Sequence, residues 1–417
     1  MYFIRKLRQA KPHGSFILVA LLLCLQGTFV IWSSSKENNH EIWRALISLP
    51  MWPPYADLLA ITEGWDESVA GRDPLRIDQD PPLYNYPRLW LLGAKFGLRS
   101  SDAKWLGAIW VLSFLAASCA IIAQAPRWTR LLFSVVMLSP AIWLALERGN
   151  SDLIIFAMLT PALLAQPKSG WLKQWPSLVI LLSAFLKFFP AVCLAVNLHN
   201  IEKKSWRMTT ALVLIFILYI TTTRHDVQAV LNKTAYGSRE SYGSTIAADK
   251  LYSRLKAQLS SIYNDFNFPE NKLAQETGSR LIILIIIGSA WWTANKHGLI
   301  RNTYGKTTYE PKIARLFIAG SLIYISTFFL GSNWAYRLIF LIWTLPLLAQ
   351  NLISKNHSKQ IWAAGSICAI WIVCWQLADK SNYDAPFGHF VSITLIYVLA
   401  RQTALLIPPI YKIQNSK

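Results

Sequence analysis

Apolar runs recur along almost the whole chain, from Ser15–Trp32 near its start to Phe390–Ile407 near its end. A backbone inside hydrocarbon has no water to bond, so each run must satisfy its own N–H and C=O groups as helix. The fold class expected is therefore all-α: a polytopic integral membrane protein, one helical domain over 1–417, with roughly eleven to twelve spans. Charged residues are 15% of the 417, against about 25% in soluble domains. That argues against a soluble domain carrying a single anchor.

The net charge of +19 follows from topology. Lys and Arg fall in short loops between apolar runs, as the positive-inside rule requires, and form no nucleic-acid-binding pattern. Nucleic acid is not an expected partner; membrane lipid is. Cys24, Cys119, Cys193, Cys368 and Cys374 all lie inside apolar runs, without the spacing of a zinc site or a disulfide framework. No metal site and no cofactor are expected. The basic N-terminal flank and the length of Ser15–Trp32 read as a retained signal anchor.

Charge sidedness then orders the chain. The spans expected are Ser15–Trp32, Trp105–Gln124, Leu131–Leu146, Leu153–Gln166, Met208–Thr222, Arg280–Asn295, Leu316–Leu330, Leu338–Gln350, Ile361–Leu377 and Phe390–Ile407, with Ser177–Leu198 a special case. Lys187 and Pro190 interrupt that run. A single crossing would put the basic HNIEKKSWR outside, so a hairpin with Lys187 at its outer tip is expected. Both termini then lie in the cytoplasm. A first external loop (33–104) and a second (223–279) lie on the outer side. So do ERGNSD (147–152), Lys187, Arg224/His225 and GSNWAYR (331–337). The charge rule thus gathers five unusual polar clusters at one face, as a single site requires.

The first external loop is the most unusual stretch. WPPYADLLAITEGWDESVAGRDPLRIDQDPPLYNYPRLW (52–90) is long, aromatic and acidic in a basic chain, where a mere connection would be short. After Pro53 and Pro54, the residues Tyr55, Leu58, Leu59, Thr62, Trp65 and Val69 share one face of a helix, amphipathic and expected at the interface. Asp57 falls in its first turn, where the dipole favours a carboxylate. Gly71–Pro74 ends it. Trp65, Trp90 and Trp334 read most simply as an interfacial belt.

YADLLAITEG with GRDPL and YNYPRLW, ERGNSDLIIFAML, LKFFPAVCL and GSNWAYRLIFLIWTLPLL together resemble the GT-C-type glycosyltransferases. The nearest likeness is to glycosyltransferase family 87, the polyprenyl-phosphate-mannose-dependent α-mannosyltransferases and their bacterial relatives. The four motifs run from the fifties to the mid-340s. Where those enzymes carry histidines at the outer start of the late helix, this chain has Asn333, Trp334, Tyr336 and Arg337, which leaves the sugar open. The resemblance implies a hexosyltransferase in a bacterial inner (plasma) membrane. It implies a polyprenyl-phosphate sugar as donor co-substrate, a lipid or glycan acceptor, an extracytoplasmic site and inversion at the anomeric carbon.

Such a transfer needs a base for the acceptor hydroxyl and cations for the phosphate. The leaving phosphate is already a weak base, with a second pKa of about 6, and needs no acid. Asp57 is the expected base, because the family's external Asp falls there; Asp73, Asp78 and Asp80 are alternatives. Arg337, Lys187 and Arg88 are the expected phosphate ligands. Arg88 serves equally well as an interfacial anchor, and Lys187 as a bridge to Glu147 or Asp152 with Arg148 in the same network. Asn150, Glu147, Asp152, Tyr86 and Asn333 are expected around the substrate, with Asn150 touching sugar hydroxyls and Glu147 leaning structural. A transporter or flippase of a lipid-linked or anionic substrate is the rival reading. It would place charges near the midplane and show repeated halves. An oligosaccharide polymerase or ligase using the same donor is a further possibility.

Overall fold

The computed structural model describes residues 14–35, 40–47, 50–76, 84–165, 174–199, 203–234, 241–262, 272–296, 309–376 and 386–407. The protein is 83% helical with almost no strand. Six helices are long and apolar enough to cross a membrane: Gly14–Ser34, Ser100–Ile122, Lys272–Lys296, Pro311–Phe329, Ala335–Leu352 and Phe387–Leu406. The number rises to eight if each of two bent pairs is one span. That is fewer than the eleven or twelve expected, because several apolar runs are broken or short.

The expected span Leu131–Leu146 is one of the broken ones. It is two helices, α4 (Leu132–Met137) and α5 (Pro140–Arg148), bent by 63°. Pro140 opens α5 and lacks the N–H that would continue the ladder from α4. The helices preceding them are α1 (Gly14–Ser34), α2 (Ala56–Val69) and α3 (Ala103–Ile122). Gly149, at φ +54, ends α5, and Asn150 caps α6 (Ser151–Leu164) by accepting from the Asp152 N–H.

The run Ser177–Leu198 is a hairpin, as charge sidedness required. α7 (Trp175–Leu186) stops at Lys187, whose backbone is extended, and a 3-10 helix follows over Phe189–His199. The Ser177 hydroxyl donates to Asn197 Oδ1 at 3.2 Å. A continuous helix would hold those residues about 30 Å apart. The legs are only about 18 Å (12 residues) and 22 Å (11 residues) long, at helical rises of about 1.5 and 2.0 Å. Neither reaches across about 30 Å of hydrocarbon.

Next come α8 (Lys203–Thr222) and α9 (Arg224–Lys233), bent by 77° from one another. A two-residue strand β1 (Ser241–Tyr242) then pairs antiparallel with β2 (Asn333–Trp334). Gly243 (φ +139) and Gly331 (φ +116) meet backbone to backbone beside this pair; a Cβ on Gly243 would sit on the Gly331 carbonyl. The Tyr242 hydroxyl bonds Thr327 Oγ1 at 2.6 Å, and its ring stacks on Tyr324 at 5.9 Å. Part of the second external segment is thereby pinned to the chain entering Ala335–Thr344.

α2 is more deeply packed than an interfacial helix. Its buried face is Leu58, Ile61, Thr62, Gly64 and Trp65, while Val69 is exposed and Leu59 only partly buried. The expected face was therefore rotated: Ile61 belongs to it and Val69 does not. Trp65 and Trp90 are struts, not a belt. Trp65 Nε1 donates to the Trp90 carbonyl (2.6 Å), and Trp90 Nε1 donates to the Leu186 carbonyl (2.9 Å). This chain of indoles joins α2 to the tip of the hairpin.

Tyr55 seats the start of α2. It is buried, takes the left-handed conformation at φ +60, and donates its N–H to the Glu147 carbonyl at 2.9 Å. Its ring fills the space above two glycines. A Cβ on Gly107 would come within 2.5 Å of that ring, and one on Gly149 within 2.8 Å. Gly149→Ala is expected to cost about 1–3 kcal/mol, from a left-handed non-glycine residue held against a fixed ring. Thermal unfolding in detergent measures it against Gly278→Ala, which has nothing within 4 Å and gains about 0.5–1 kcal/mol from the helix.

Candidate active site

Four of the five polar clusters converge. Asn150 Nδ2 donates to Asp57 Oδ2, and Arg148 Nη1 lies 3.7 Å from Asp57 Oδ1. Asn150 Oδ1 accepts from Lys187 Nζ at 3.2 Å as well as from the Asp152 N–H at 2.9 Å. Lys187 Nζ also reaches Ser151 Oγ at 3.0 Å and Asp152 Oδ1 at 2.5 Å. Arg337 Nε lies 3.7 Å from Asp152 Oδ2. The Glu147 carboxylate accepts from the Met51 N–H at 2.7 Å. Residues from the first loop, the α5–α6 turn, the hairpin tip and the segment after β2 thus form one network. Arg224 and His225 take no part in it, although their neighbour Asp226 has a role elsewhere.

The local sequence explains the placement. The turn between α5 and α6 needs a left-handed residue and then an N-cap, which Gly149 and Asn150 supply. Arg148 is consequently in the last turn of α5 and Asp152 in the first turn of α6, each where the helix dipole favours its charge. Aromatic rings wall the cations. Arg148 Cζ lies 4.4 Å from the centroid of the Trp334 ring. Lys187 Nζ is 5.8 Å from the Tyr86 ring and 5.6 Å from the Tyr336 ring. Arg337 Cζ sits 5.1 Å from Phe189. Trp334 and Tyr336 stack in parallel at 6.1 Å.

Hydrogen-bond capacity separates the three cations. An ammonium has three donors, and Lys187 gives them to Asn150, Ser151 and Asp152. Neither Arg148 nor Arg337 donates a hydrogen bond to any described residue, and both Nε atoms are buried without an acceptor. Their side chains are only 5% and 16% exposed. Buried guanidinium donors are costly unless an acceptor meets them. The two arginines are therefore the groups with capacity for an anion, and Lys187 is the structural one. Arg148 entered the sequence reading only as a possible member of a bridge. Its signal was the RGN triplet, which turns the chain straight back after an Arg.

Other expected site residues lie differently. Asn150 has no exposure and its side-chain atoms are committed to Asp57, Lys187 and Asp152, so it holds the carboxylate instead of facing a sugar. Asn333 donates its amide to the Thr327 carbonyl and pairs with Tyr242 in the short sheet; it shapes the entry to Ala335 and does not contact the charged cluster. Arg88 makes a two-pronged pair with Asp73 (3.1 and 2.8 Å) and donates Nε to Asp226 at 2.7 Å. It clamps the first loop to α9, away from Asp57. The guanidinium holds the Asp73 carboxyl below the usual carboxylate range, which makes Asp73 a poor base. Asp78 and Asp80 lie outside the described residues. Beside the clamp is a cavity of about 270 Å³ lined by Arg88, Leu89, Leu92, Phe188, Tyr219 and Val230, among others. Phe188 puts its wall next to Lys187.

Among the described residues no group of three or more His, Cys, Asp or Glu is placed to hold a metal. Comparisons with protein-family models, curated proteins and solved structures return no match.

Asp152 has no exposure and serves two cations. Asp152→Asn, which leaves both uncompensated, is expected to cost about 3–5 kcal/mol of stability. Lys187→Met leaves the Arg337–Asp152 contact in place and should cost less. Denaturation midpoints of the two purified variants check the order, and the reverse ranking would contradict the shared-carboxylate geometry.

Proposed function

We propose that this chain is a GT-C-type membrane glycosyltransferase. It takes a hexose from a polyprenyl-phosphate donor and passes it, with inversion, to a lipid or glycan acceptor on the extracytoplasmic face of a bacterial inner membrane. The observation that carries this reading is the pairing of one partly exposed carboxylate, Asp57, with two buried arginines whose donors no described residue accepts. The site lies where apolar helices end. A hydroxyl attacking the anomeric carbon needs a base, and the departing phosphate needs donors that do not have to reorganise.

In this reading Asp57 takes the acceptor proton as the new glycosidic bond forms. The bond from the anomeric carbon to the phosphate oxygen breaks, and Arg148 and Arg337 receive the phosphate. A fork of N–H donors suits phosphate oxygens better than a point charge does. Lys187 keeps Asp152 and Asn150 in place. The apolar cavity behind Phe188 suits a hydrocarbon chain entering from the bilayer. Phosphate binding by Arg88 is set aside, because both of its faces are taken by carboxylates. The sugar is open, mannose being the hexose of the resembled family.

A transporter or flippase is the second reading. Against it, the charged residues cluster at helix ends: the last turn of α5, the first of α6, the end of α7 and the start of the Ala335–Thr344 segment. Transporter charges tend to sit at the midplane, within broken helices of repeated halves.

The deciding experiment is transfer of labelled sugar from a panel of synthetic polyprenyl-phosphate sugars in membranes containing the protein. Asp57→Asn is expected to lower transfer by about 10²–10⁴-fold at unchanged abundance, the usual worth of a positioned base. Arg337→Lys should lower it as well, because a point charge does not replace the fork. Transfer that survives in Asp57→Asn would remove Asp57 from the chemistry. Substrate movement across vesicles without any transfer would favour the transporter.

A further inference from the structure

The network has a centre that neither the base nor the phosphate ligands account for. Asn150 is the only side chain that touches Asp57, Lys187 and the α6 backbone together. We propose that Asn150 is a positioning residue: its amide N–H fixes the Asp57 carboxylate in its ionised form and so sets the pH at which that carboxylate takes a proton. This rests on the reading of Asp57 as the base.

The geometry assigns each atom of the amide a task. Oδ1 must be an acceptor, because it faces the Asp152 N–H and the Lys187 ammonium, both of which can only donate. That orients Nδ2 toward Asp57 Oδ2 without ambiguity. A donor aimed at a carboxylate favours its charged form and lowers its proton affinity. With zero exposure, the amide has no water to compete for that donor. Lys187 is thus coupled to Asp57 through a neutral relay, which transmits orientation without adding a second charge at contact distance.

The other groups facing Asp57 belong to the same cluster. α5 contributes Arg148 and Glu147, α6 contributes Asp152, the hairpin tip Lys187, the loop Tyr86, and the segment after β2 Tyr336 and Arg337. The remaining charges on and around α2 are Glu63, Asp66, Glu67, Arg88, Lys95, Arg99, Asp102 and Lys104. Those placed by a recorded contact lie toward the far end of α2: Asp66 meets the Ser100 N–H there, and Glu67 pairs with Arg72.

Asn150→Asp isolates the amide N–H. Aspartate is an equally good N-cap and still offers oxygens to Lys187 and the Asp152 N–H. It loses only the donor to Asp57 and sets a carboxylate against a carboxylate, so the pair is expected to hold a proton to higher pH. Asn150→Ser, a second N-cap that is too short to reach Asp57, removes the donor without adding charge.

The test uses the full-length protein in liposomes. Modification of Asp57 by a hydrophobic carbodiimide, which reacts with the protonated carboxyl, is followed by peptide mass spectrometry across pH. The midpoint is expected to rise by about one pH unit or more in Asn150→Asp, and by less in Asn150→Ser. The acid limb of the transfer rate should move with it. A residue with only a structural role would change abundance or maximal modification and leave the midpoint alone. Unmoved midpoints in both variants overturn the proposal. A midpoint that moves in a wild-type background lacking transfer activity keeps the positioning role and rejects the enzyme reading instead.

Discussion

A carboxylate with no exposure at the head of an apolar helix, Asp152, is the constraint from which the rest of the site follows. Desolvating such an ion costs several kcal/mol even after relaxation. Three things offset that cost here: the positive end of α6, the ammonium of Lys187, and the guanidinium of Arg337. The two cations come from segments that are distant in sequence, so satisfying Asp152 brings the hairpin tip and the entry to Ala335–Thr344 against α6. Asn150, two positions earlier, then carries the same network across to Asp57. Position and charge are settled by one interaction.

Counting donors divides labour among groups that charge alone would rank equally. Lys187, Arg148 and Arg337 are all cations in a low-dielectric setting. Lys187 is saturated by three acceptors. The arginines instead lie over aromatic faces, Trp334 for Arg148 and Phe189 for Arg337, which hold a guanidinium by its plane and leave its edges for other partners. A ring under each arginine fixes its direction without using its hydrogen bonds. Arg88 is the opposite case. Two carboxylates occupy its edges, and what it contributes is a tie between the first loop and α9.

Much of the site was legible because charge in an apolar chain is costly and therefore informative. The positive-inside rule placed Lys187 at a hairpin tip, and the Ser177–Asn197 contact bears the hairpin out. Asp57 in the first turn of α2 followed from the two prolines and the apolar spacing, and the structure has it there. What sequence did not reveal depends on tertiary partners. The left-handed Tyr55 is stable only because Gly107 and Gly149 leave room for its ring, and neither glycine lies near it in sequence. The bend at Pro140 was hidden by an apolar run that reads through it. The β1–β2 pair joins segments 90 residues apart through two residues each, too short for any alternation to register. Asn150 read as a sugar ligand because a buried amide and an exposed one look alike in sequence.

The location of the cluster has a physical reason that goes beyond any one pair. A helix end leaves N–H or C=O groups without partners, so a break inside an apolar bundle already requires polar company. Adding a charge there costs less than adding one to an unbroken span, because the backbone itself supplies dipoles and donors. Five of the six long apolar helices carry none of the Asp57 cluster. The sixth carries Arg337 in the 3-10 turn at its start. The other members sit at interruptions: the Gly149–Asn150 turn, the extended Lys187, and the first turn of α2 after Tyr55. Runs that fell short of a full crossing are thus the part of the chain where charged chemistry can be housed, and the intact spans are the walls that hold those interruptions together.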